Sequence, residues 1–191
     1  MERTNRQKEI LDAAIRIIRE HGFSAVTVRR VADEVGVSEP ALYRHFPNKL
    51  AILECLLDDF QEAVLERFHA LEKKVSANPL GDFIDELFET LGTRESLASL
   101  LYSEEAFHAE PALKSRVFAM LTHNSNMLTR AITAQQKRSA VRNDIGAESV
   151  SLIVMGCIRV TITKCGLSDG KIRLVDEKKR VMNALNAVLK R

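Results

Sequence analysis

The chain has 191 residues, 46% of them hydrophobic, and a formal net charge of +2. This length is more than one small helical domain needs, and the nearly balanced charge excludes a long basic tail as the means of binding nucleic acid. The 3 cysteines form no CxxC pair, and their odd number argues against a disulfide framework.

The composition also predicts where the protein resides. An odd number of cysteines fits a reducing cytosol. No stretch reaches the roughly 18 uninterrupted apolar residues of a membrane-spanning helix. The start of the chain, MERTNRQKEI, lacks the apolar core of a signal peptide. We therefore predict a cytoplasmic protein with no membrane partner.

A first helix is predicted from about Asn5 to His21. Thr4 and Gln7 have the spacing of a capping box, in which each side chain bonds the backbone amide at the other position. Apolar residues recur on one helical face: Ile10, Leu11, Ala14, Ile17 and Ile18. This helix should brace the elements that follow.

Residues 27–53, TVRRVADEVGVSEPALYRHFPNKLAIL, predict a helix-turn-helix and the start of a further helix. Thr27 can cap the first short helix, and Gly36 supplies the tight turn. Ser38 is placed to cap the second helix, and Asn48 to cap the helix that comes next. This pattern is typical of proteins that bind DNA.

We call the second of these helices, residues 39–46, the reading helix. Leu42 and Phe46 share its buried face, so Tyr43 and Arg44 project into solvent. Seven or eight residues make a rod of roughly 11 Å, which fits a major groove about 12 Å wide. Lys49 begins the next helix, where a cation and a helix amino terminus together suit a phosphate. The alternative is a helical hairpin with a solvated face, which leaves the exposed Tyr43 unexplained.

These motifs resemble the amino-terminal domain of the tetracycline-repressor (TetR, AcrR-like) family of bacterial transcription regulators. The matching features are Gly22-Phe23, the VADEVGV core, the LYRHF block and Asn48-Lys49. The resemblance covers the first fifty or so residues and extends to the rest only in length and helical content. It implies a helix-turn-helix DNA-binding domain, residues 1–48, and a helical effector-binding and dimerisation domain, residues 49–191.

The resemblance also implies which residues touch DNA. It assigns contacts to Val28, Arg29, Glu39, Pro40, Ala41, Tyr43, Arg44, His45 and Lys49, and Thr27 and Ser38 complete the predicted set. Arg29 and the reading helix are candidates for base edges, whereas Thr27, Tyr43, His45 and Lys49 are candidates for phosphates. Glu39 either accepts from a cytosine amino group or repels a phosphate.

Strand patterns are nearly absent from the whole chain, so we predict an all-α protein of about nine helices. The helix that begins at Lys49 has no internal breaker before Asn78, Pro79 and Gly81. A helix of that length can transmit a tilt from the DNA-binding domain to the second domain. Further helices are predicted at about 83–91, 96–107, 111–137, 147–165 and 175–190.

The helix at 147–165 is apolar around much of its circumference, which predicts burial on several sides. With the last helix it would form a face that pairs with a second copy as a four-helix bundle; the alternative is the core of a monomer. Helix-turn-helix dimers place two reading helices about 34–36 Å apart, and the resemblance implies the same homodimer on a pseudo-palindromic DNA operator. The predicted interface comprises Val150, Ile153, Val154, Cys157, Ile158, Ile162, Val181, Leu185 and Val188.

The middle helices are candidates for binding a small-molecule effector that releases a repressor from DNA, chiefly because of the family resemblance. Polar residues within apolar patterns point to a ligand if they are buried. The candidate set is Phe60, Phe83, Phe88, Phe107, Met120, His123, Asn124, Met127, Met155 and Arg159. The alternatives are an ordinary core and a domain that docks a protein partner without any effector.

Other classes of function have weaker support. The sequence contains no Gly-rich phosphate loop, nucleophile elbow or HExxH motif, so no enzyme and no catalytic residues are predicted. Glu104 and His108 lie one helical turn apart and, with His123, have a donor set that suits Zn²⁺. A solvated, salt-linked surface explains these residues better, so no metal or cofactor is predicted.

Overall fold

The computed structural model describes residues 3–93, 98, 111–168 and 170–189. Within these ranges the chain folds into helices and connecting turns without a strand, which confirms the predicted all-α class. The α-helices are α1 Asn5–His21, α2 Val28–Val35, α3 Glu39–Tyr43, α4 Lys49–Lys73, α5 Pro79–Gly92, α6 Pro111–Lys137, α7 Ala147–Gly166 and α8 Leu174–Leu189, with a 3-10 turn at Phe23–Ala25. The helix predicted at 96–107 lies outside the described residues.

Three of the predicted caps form as the sequence indicates. The Thr4 hydroxyl accepts from the Gln7 amide, and the Gln7 side chain accepts from the Thr4 amide, which completes the capping box. Thr27 accepts from the third amide of α2 at 3.1 Å. Asn48 accepts from the third amide of α4 at 2.8 Å. These bonds fix where α1, α2 and α4 begin.

The reading helix departs from its prediction in two respects. Its α-helical part, α3, has 5 residues instead of seven or eight. The chain remains coiled after it, because the Phe46 amide donates to the Leu42 carbonyl at 3.0 Å. The helix stops there because Pro47 disfavours α geometry in the residue before it. The Ser38 hydroxyl makes no capping hydrogen bond, although Ser38 does occupy the cap position.

Helix α4 connects the helix-turn-helix to the rest of the protein. It has 25 residues, as the missing breaker predicted, and ends at Lys73. It packs against α1, α5 and α6. Its buried residues are Ile52, Leu53, Leu56, Leu57, Phe60, Val64, Phe68 and Leu71.

The carboxyl end of α4 is held by a buried glutamine of α6. The Gln135 side-chain amide donates to the carbonyls of Leu71 at 2.7 Å and Lys74 at 3.2 Å. The Leu71 carbonyl also accepts from the Lys74 amide, and the Lys74 carbonyl also accepts from Arg138, so Gln135 adds a second donor to each. The contact fixes α6 relative to the end of α4.

Helix α7 is apolar enough to cross a membrane by length and composition alone. Its mean hydropathy is 1.4, and 39% of the relevant window is buried inside the protein. The buried side packs against α6 and α8, as the core helix of a globular protein does. The rest of the helix leaves an apolar surface that the single chain does not cover.

Candidate nucleic-acid interface and effector cavity

The predicted DNA-binding residues are all accessible to solvent. All eleven of them are exposed or half-buried, whereas Val31, Ala32, Leu42 and Phe46 between them are buried. Tyr43 is 48% exposed even though it adjoins the buried Leu42. The accessible side chains therefore meet the first requirement for DNA contact, and the contacts themselves remain a proposal.

The turn between α2 and α3 depends on Gly36. Its φ is +73°, in the left-handed region, and the amide of Val37 bonds the carbonyl of Ala32 at 3.0 Å. A Cβ at Gly36 would meet no atom within 4 Å, so the backbone conformation and not a lack of space requires glycine. An ion pair from Arg16 to Glu34 at 2.9 Å then joins α2 to α1.

Lys49 lies at the point where α4 meets the helix-turn-helix. Its Nζ lies 4.9 Å from the centroid of the Phe23 ring, within the range of a cation–π contact. Phe23 is buried and follows Gly22, which adopts a φ of +80°. The ring therefore holds the ammonium group beside the first turn of α4. The sequence contained the Gly22-Phe23 motif, but this contact was not predicted from it.

A cavity of about 490 Å³, counting the space at its open side, lies between α4, α5, α6 and α7. Four helices contribute to its wall: Phe60, Val64 and Phe68 from α4; Leu87 and Leu91 from α5; Leu121, Asn124 and Leu128 from α6; Met155, Ile158 and Ile162 from α7. The wall is apolar apart from Asn124.

Three of the predicted effector-binding residues, Phe60, Asn124 and Met155, line this cavity. Four others are buried elsewhere in the core, namely Phe83, Phe88, Met120 and Met127. Phe83, for example, stacks on Phe68 with ring centroids 5.5 Å apart. Phe107 lies outside the described residues.

The prediction for His123 and Arg159 requires correction, because both side chains are exposed and neither lines the cavity. The physical reason is helical register. Asn124 shares its face with Leu121 and Leu128, three residues before it and four after it, whereas His123 is turned away by one residue. Counting this register along α6 would have separated the two from sequence.

The predicted dimer interface also requires correction. Six of its nine residues lie in the core of the single chain: Val150, Val154, Ile158, Ile162, Val181 and Leu185. They cannot meet a partner there, because they are already buried. Ile153 and Cys157 are half-buried, and Val188 is exposed. A helix that is apolar all round does not reveal from sequence which side its own chain covers.

The uncovered side of α7 carries what we call the α7 stripe, Leu152, Gly156 and Val160. Leu152 is 74% and Val160 68% exposed, and the three residues follow one another at intervals of four. Val188 of α8 is 45% exposed. A Cβ at Gly156 would meet no atom within 4 Å. This surface is open, apolar and free of bulk at its centre.

Among the described residues, no group of three or more His, Cys, Asp or Glu side chains is arranged to hold a metal ion. Glu104 and His108 lie outside those residues. The exposed His123 is the only member of the predicted cluster that the structure describes.

Comparison with known proteins agrees with this geometry. Residues 10–56 match the family described as bacterial regulatory proteins, tetR family. The nucleoid occlusion factor SlmA of Vibrio vulnificus (strain YJ016) is 22% identical over 191 residues, covering 98% of this chain and 97% of that protein.

Two solved structures share the fold. The fatty acid degradation regulator FadR from Bacillus halodurans superposes with a TM-score of 0.81 at 19% identity, covering 97% of this chain and 96% of that one. The transcriptional regulator FadR from Bacillus subtilis, in complex with stearoyl-CoA, gives 0.74 at 22% identity, covering 93% and 96%.

The helical fold with its accessible reading helix defines a helix-turn-helix DNA-binding regulator. The similarity to the TetR family of bacterial regulatory proteins is carried by the amino-terminal residues 10–56. Members of this family are transcriptional regulators and not enzymes.

Proposed function

We propose that the protein is a cytoplasmic repressor that binds a pseudo-palindromic operator as a homodimer and is released by a small-molecule effector. One observation carries the proposal: the cavity lies against the same helix that begins at the predicted DNA interface. Phe60 in the cavity wall follows Lys49 by 11 residues on α4. At about 1.5 Å per residue this separation is roughly 16 Å along the helix axis.

We assign residues 1–48 to DNA binding and residues 49–191 to effector binding and dimerisation. In this division α4 belongs to the second domain but packs against α1 of the first. A change in the tilt of α4 would therefore move the helix-turn-helix. The effector would favour a distance between the two reading helices that differs from the spacing of successive major grooves, so both helices could not bind at once.

Release follows by population shift. A ligand moves the equilibrium between DNA-competent and released forms only by the difference between its affinities for the two. Going from about 99% of one form to about 99% of the other requires a difference of roughly 10⁴-fold. The cavity must therefore change shape between the two forms.

A homodimer is supported by the α7 stripe. An exposed apolar surface flanked by polar residues is typical of an interaction site, and a two-fold interface uses the same surface on both subunits. One short reading helix contacts few base pairs, so a second reading helix one DNA turn away is needed for specificity. We propose that the α7 stripe and the exposed side of α8, including Val188, form the interface.

A second candidate keeps the DNA interface and the dimer but replaces the effector with a protein partner. It is favoured by the similarity to the nucleoid occlusion factor of V. vulnificus, whose name refers to no small molecule. A ligand screen separates the two candidates. A compound that both stabilises the protein and changes its DNA affinity supports the effector, whereas intact DNA binding with no such compound favours a protein partner.

The first test is selection of bound sites from random duplex DNA by the purified protein. Salt is held near physiological concentration because affinity for DNA depends steeply on it. We expect a palindromic consensus with half-sites about one DNA turn apart. Failure of the folded protein to enrich any sequence would contradict operator binding.

A further inference from the structure

We infer that the cavity binds a neutral, largely apolar molecule whose single oxygen atom accepts a hydrogen bond from Asn124. This inference names the chemical class of the effector and rests on the proposed function. It depends on the composition of the wall and on the hydrogen bond between Gln61 and Asn124.

The wall selects for an apolar body. Aliphatic and aromatic side chains surround the space, and burying apolar ligand surface against them is favourable. Among the described residues that line the cavity, none carries a charge and only Asn124 is polar. The body of the ligand therefore meets hydrocarbon in nearly every direction.

Asn124 provides the polar contact. Its side chain is on the cavity wall, and the residue is only 6% exposed. The Gln61 Nε2 group donates to its Oδ1 atom at 2.7 Å. With Oδ1 occupied in this way, the Nδ2 amide is the group of Asn124 that remains to donate to a ligand oxygen.

The neighbouring Gln61 occupies the acceptor atom of Asn124. Its Nε2 group donates to Asn124 Oδ1, although Gln61 itself does not line the cavity. The Oε1 atom of Gln61 is buried and has no hydrogen-bond partner among the described residues. Because Gln61 is not part of the wall, this atom does not select the ligand.

An ionised ligand head does not fit the same wall. Burying a carboxylate without a cation or several hydrogen-bond donors costs far more than one amide contact returns. Arg159 and His123, which the sequence offered as partners for an acidic head, are both exposed and outside the wall. A single neutral oxygen is the polar group that Asn124 can satisfy.

The test uses two matched sets of probes with the purified full-length protein. The aromatic set is 2-acetylnaphthalene, its hydrocarbon counterpart 2-isopropenylnaphthalene and the carboxylate 2-naphthoate. The linear set is 2-undecanone, 2-methyl-1-undecene and undecanoate. Binding is measured by titration calorimetry, and operator affinity is measured separately by fluorescence anisotropy on the selected site.

In at least one set we expect the ketone to bind about fivefold more tightly than the hydrocarbon, as one net hydrogen bond provides. The carboxylate of that set should bind at least about a hundredfold more weakly than the ketone. Equal binding of ketone and hydrocarbon, tighter binding of a carboxylate, or no binding by either ketone up to its solubility limit would overturn the inference.

The two assays keep this inference distinct from the proposed function. Binding with the expected preferences but without any change in operator affinity would support the ligand class and contradict effector-driven release. Release of DNA by a carboxylate that binds more tightly than its ketone would support release and overturn the ligand class.

Substitutions at Asn124 locate the hydrogen bond. Asn124→Leu should leave the hydrocarbon affinity unchanged within about twofold and remove the advantage of the ketone. Asn124→Ala also removes the amide donor without adding an acidic group, so it should likewise remove that advantage if the leucine variant fails to fold. Asn126→Leu is the matched control, because Asn126 is exposed on the same helix. Retention of the advantage in a folded Asn124 variant would overturn the inference.

Discussion

Lys49 combines a side-chain cation with the amino terminus of a long helix. Phe23 holds its ammonium group 4.9 Å from the ring centroid, and Asn48 caps the helix beside it. Both features favour an anion at the same place, since the first amides of a helix carry partial positive charge. The sequence predicted the cation and the helix amino terminus at Lys49, and the structure shows in addition that the Phe23 ring orients the ammonium group.

We predict that Lys49→Ala weakens DNA binding by a similar factor for all sequences. A phosphate contact carries no base information, and its loss should reduce the slope of log affinity against log salt by about one. Tyr43→Ala should also weaken binding broadly. The measurement is operator affinity at several salt concentrations. Lys137→Ala removes the same charge far along the chain and serves as the control; wild-type binding by the Lys49 and Tyr43 variants would contradict the placement of the interface.

Arg29→Ala should behave differently, because we assign this side chain to a base edge. The expected result is loss of preference at one base pair of each half-site, with a cost of about 1–3 kcal/mol for the correct base. Site selection with the variant measures this directly. An unchanged consensus with uniformly weaker binding would instead place Arg29 on a phosphate.

At the scale of the helices, the residues at the amino-terminal cap positions of α2, α3 and α4 provide a prediction about stability. Asn48→Ala and Thr27→Ala each remove a side-chain oxygen that accepts from a helix amide, at a cost of about 1 kcal/mol. Ser38→Ala removes no such bond and should change the unfolding midpoint little. Thermal unfolding of the three variants checks this, and a loss at Ser38 equal to that at Asn48 would contradict the observed caps.

A second element prediction concerns the end of α4. Gln135→Met keeps most of the side-chain volume but removes the donor to two carbonyls, which should destabilise the protein by about 1–3 kcal/mol. Arg130→Met on the same helix removes only an exposed ion pair with Glu72 and should cost less than about 0.5 kcal/mol. Denaturant unfolding compares them, and equal losses would show that Gln135 does not hold α4.

Local features of these elements could be predicted from the sequence, and features that depend on neighbouring elements could not. Thr4, Thr27 and Asn48 act on amides within their own helix, so residue type and spacing were enough to place them. Ser38 occupies the expected cap position, but residue type alone did not determine whether its hydroxyl would bond.

The cavity and the dimer surface required the relative placement of several helices. Leu121 and Leu128 share a face with Asn124, yet only the packing of α4, α5 and α7 shows that this face borders a space. In α7 four of the six residues assigned to a partner lie in the core of the single chain. An apolar pattern indicates burial but not which neighbour provides it.

At the scale of the whole molecule, α4 forms ion pairs both with the segment before α1 and with α6, which lines the cavity. Adjacent carboxylates on it point to different partners: Asp59 pairs with Arg3, which precedes α1, and Asp58 pairs with Arg116 of α6. Burial raises the pKa of the Cys55 thiol nearby on the same helix. Movement of α6 on filling the cavity would therefore reach the helix-turn-helix through direct contacts on α4.

The last prediction concerns the assembly on DNA. Leu152→Glu combined with Gly156→Glu places charge on the open α7 stripe, where both copies of a two-fold interface would meet it. Neither site is packed within the single chain, so folding should be unaffected. We expect sedimentation equilibrium to show a folded monomer. Its operator affinity should fall about a hundredfold or more, because the two reading helices are no longer linked and cannot bind both half-sites together.

The matched control is Val75→Glu with Phe118→Glu, which adds the same charge at two other exposed apolar residues, 86% and 73% accessible. This variant should remain dimeric and retain operator binding within a few-fold, because a small change in net charge alters affinity for DNA only modestly at physiological salt. A dimer that persists in the α7 variant, or one that dissociates only in the control, would place the two-fold interface on a different surface.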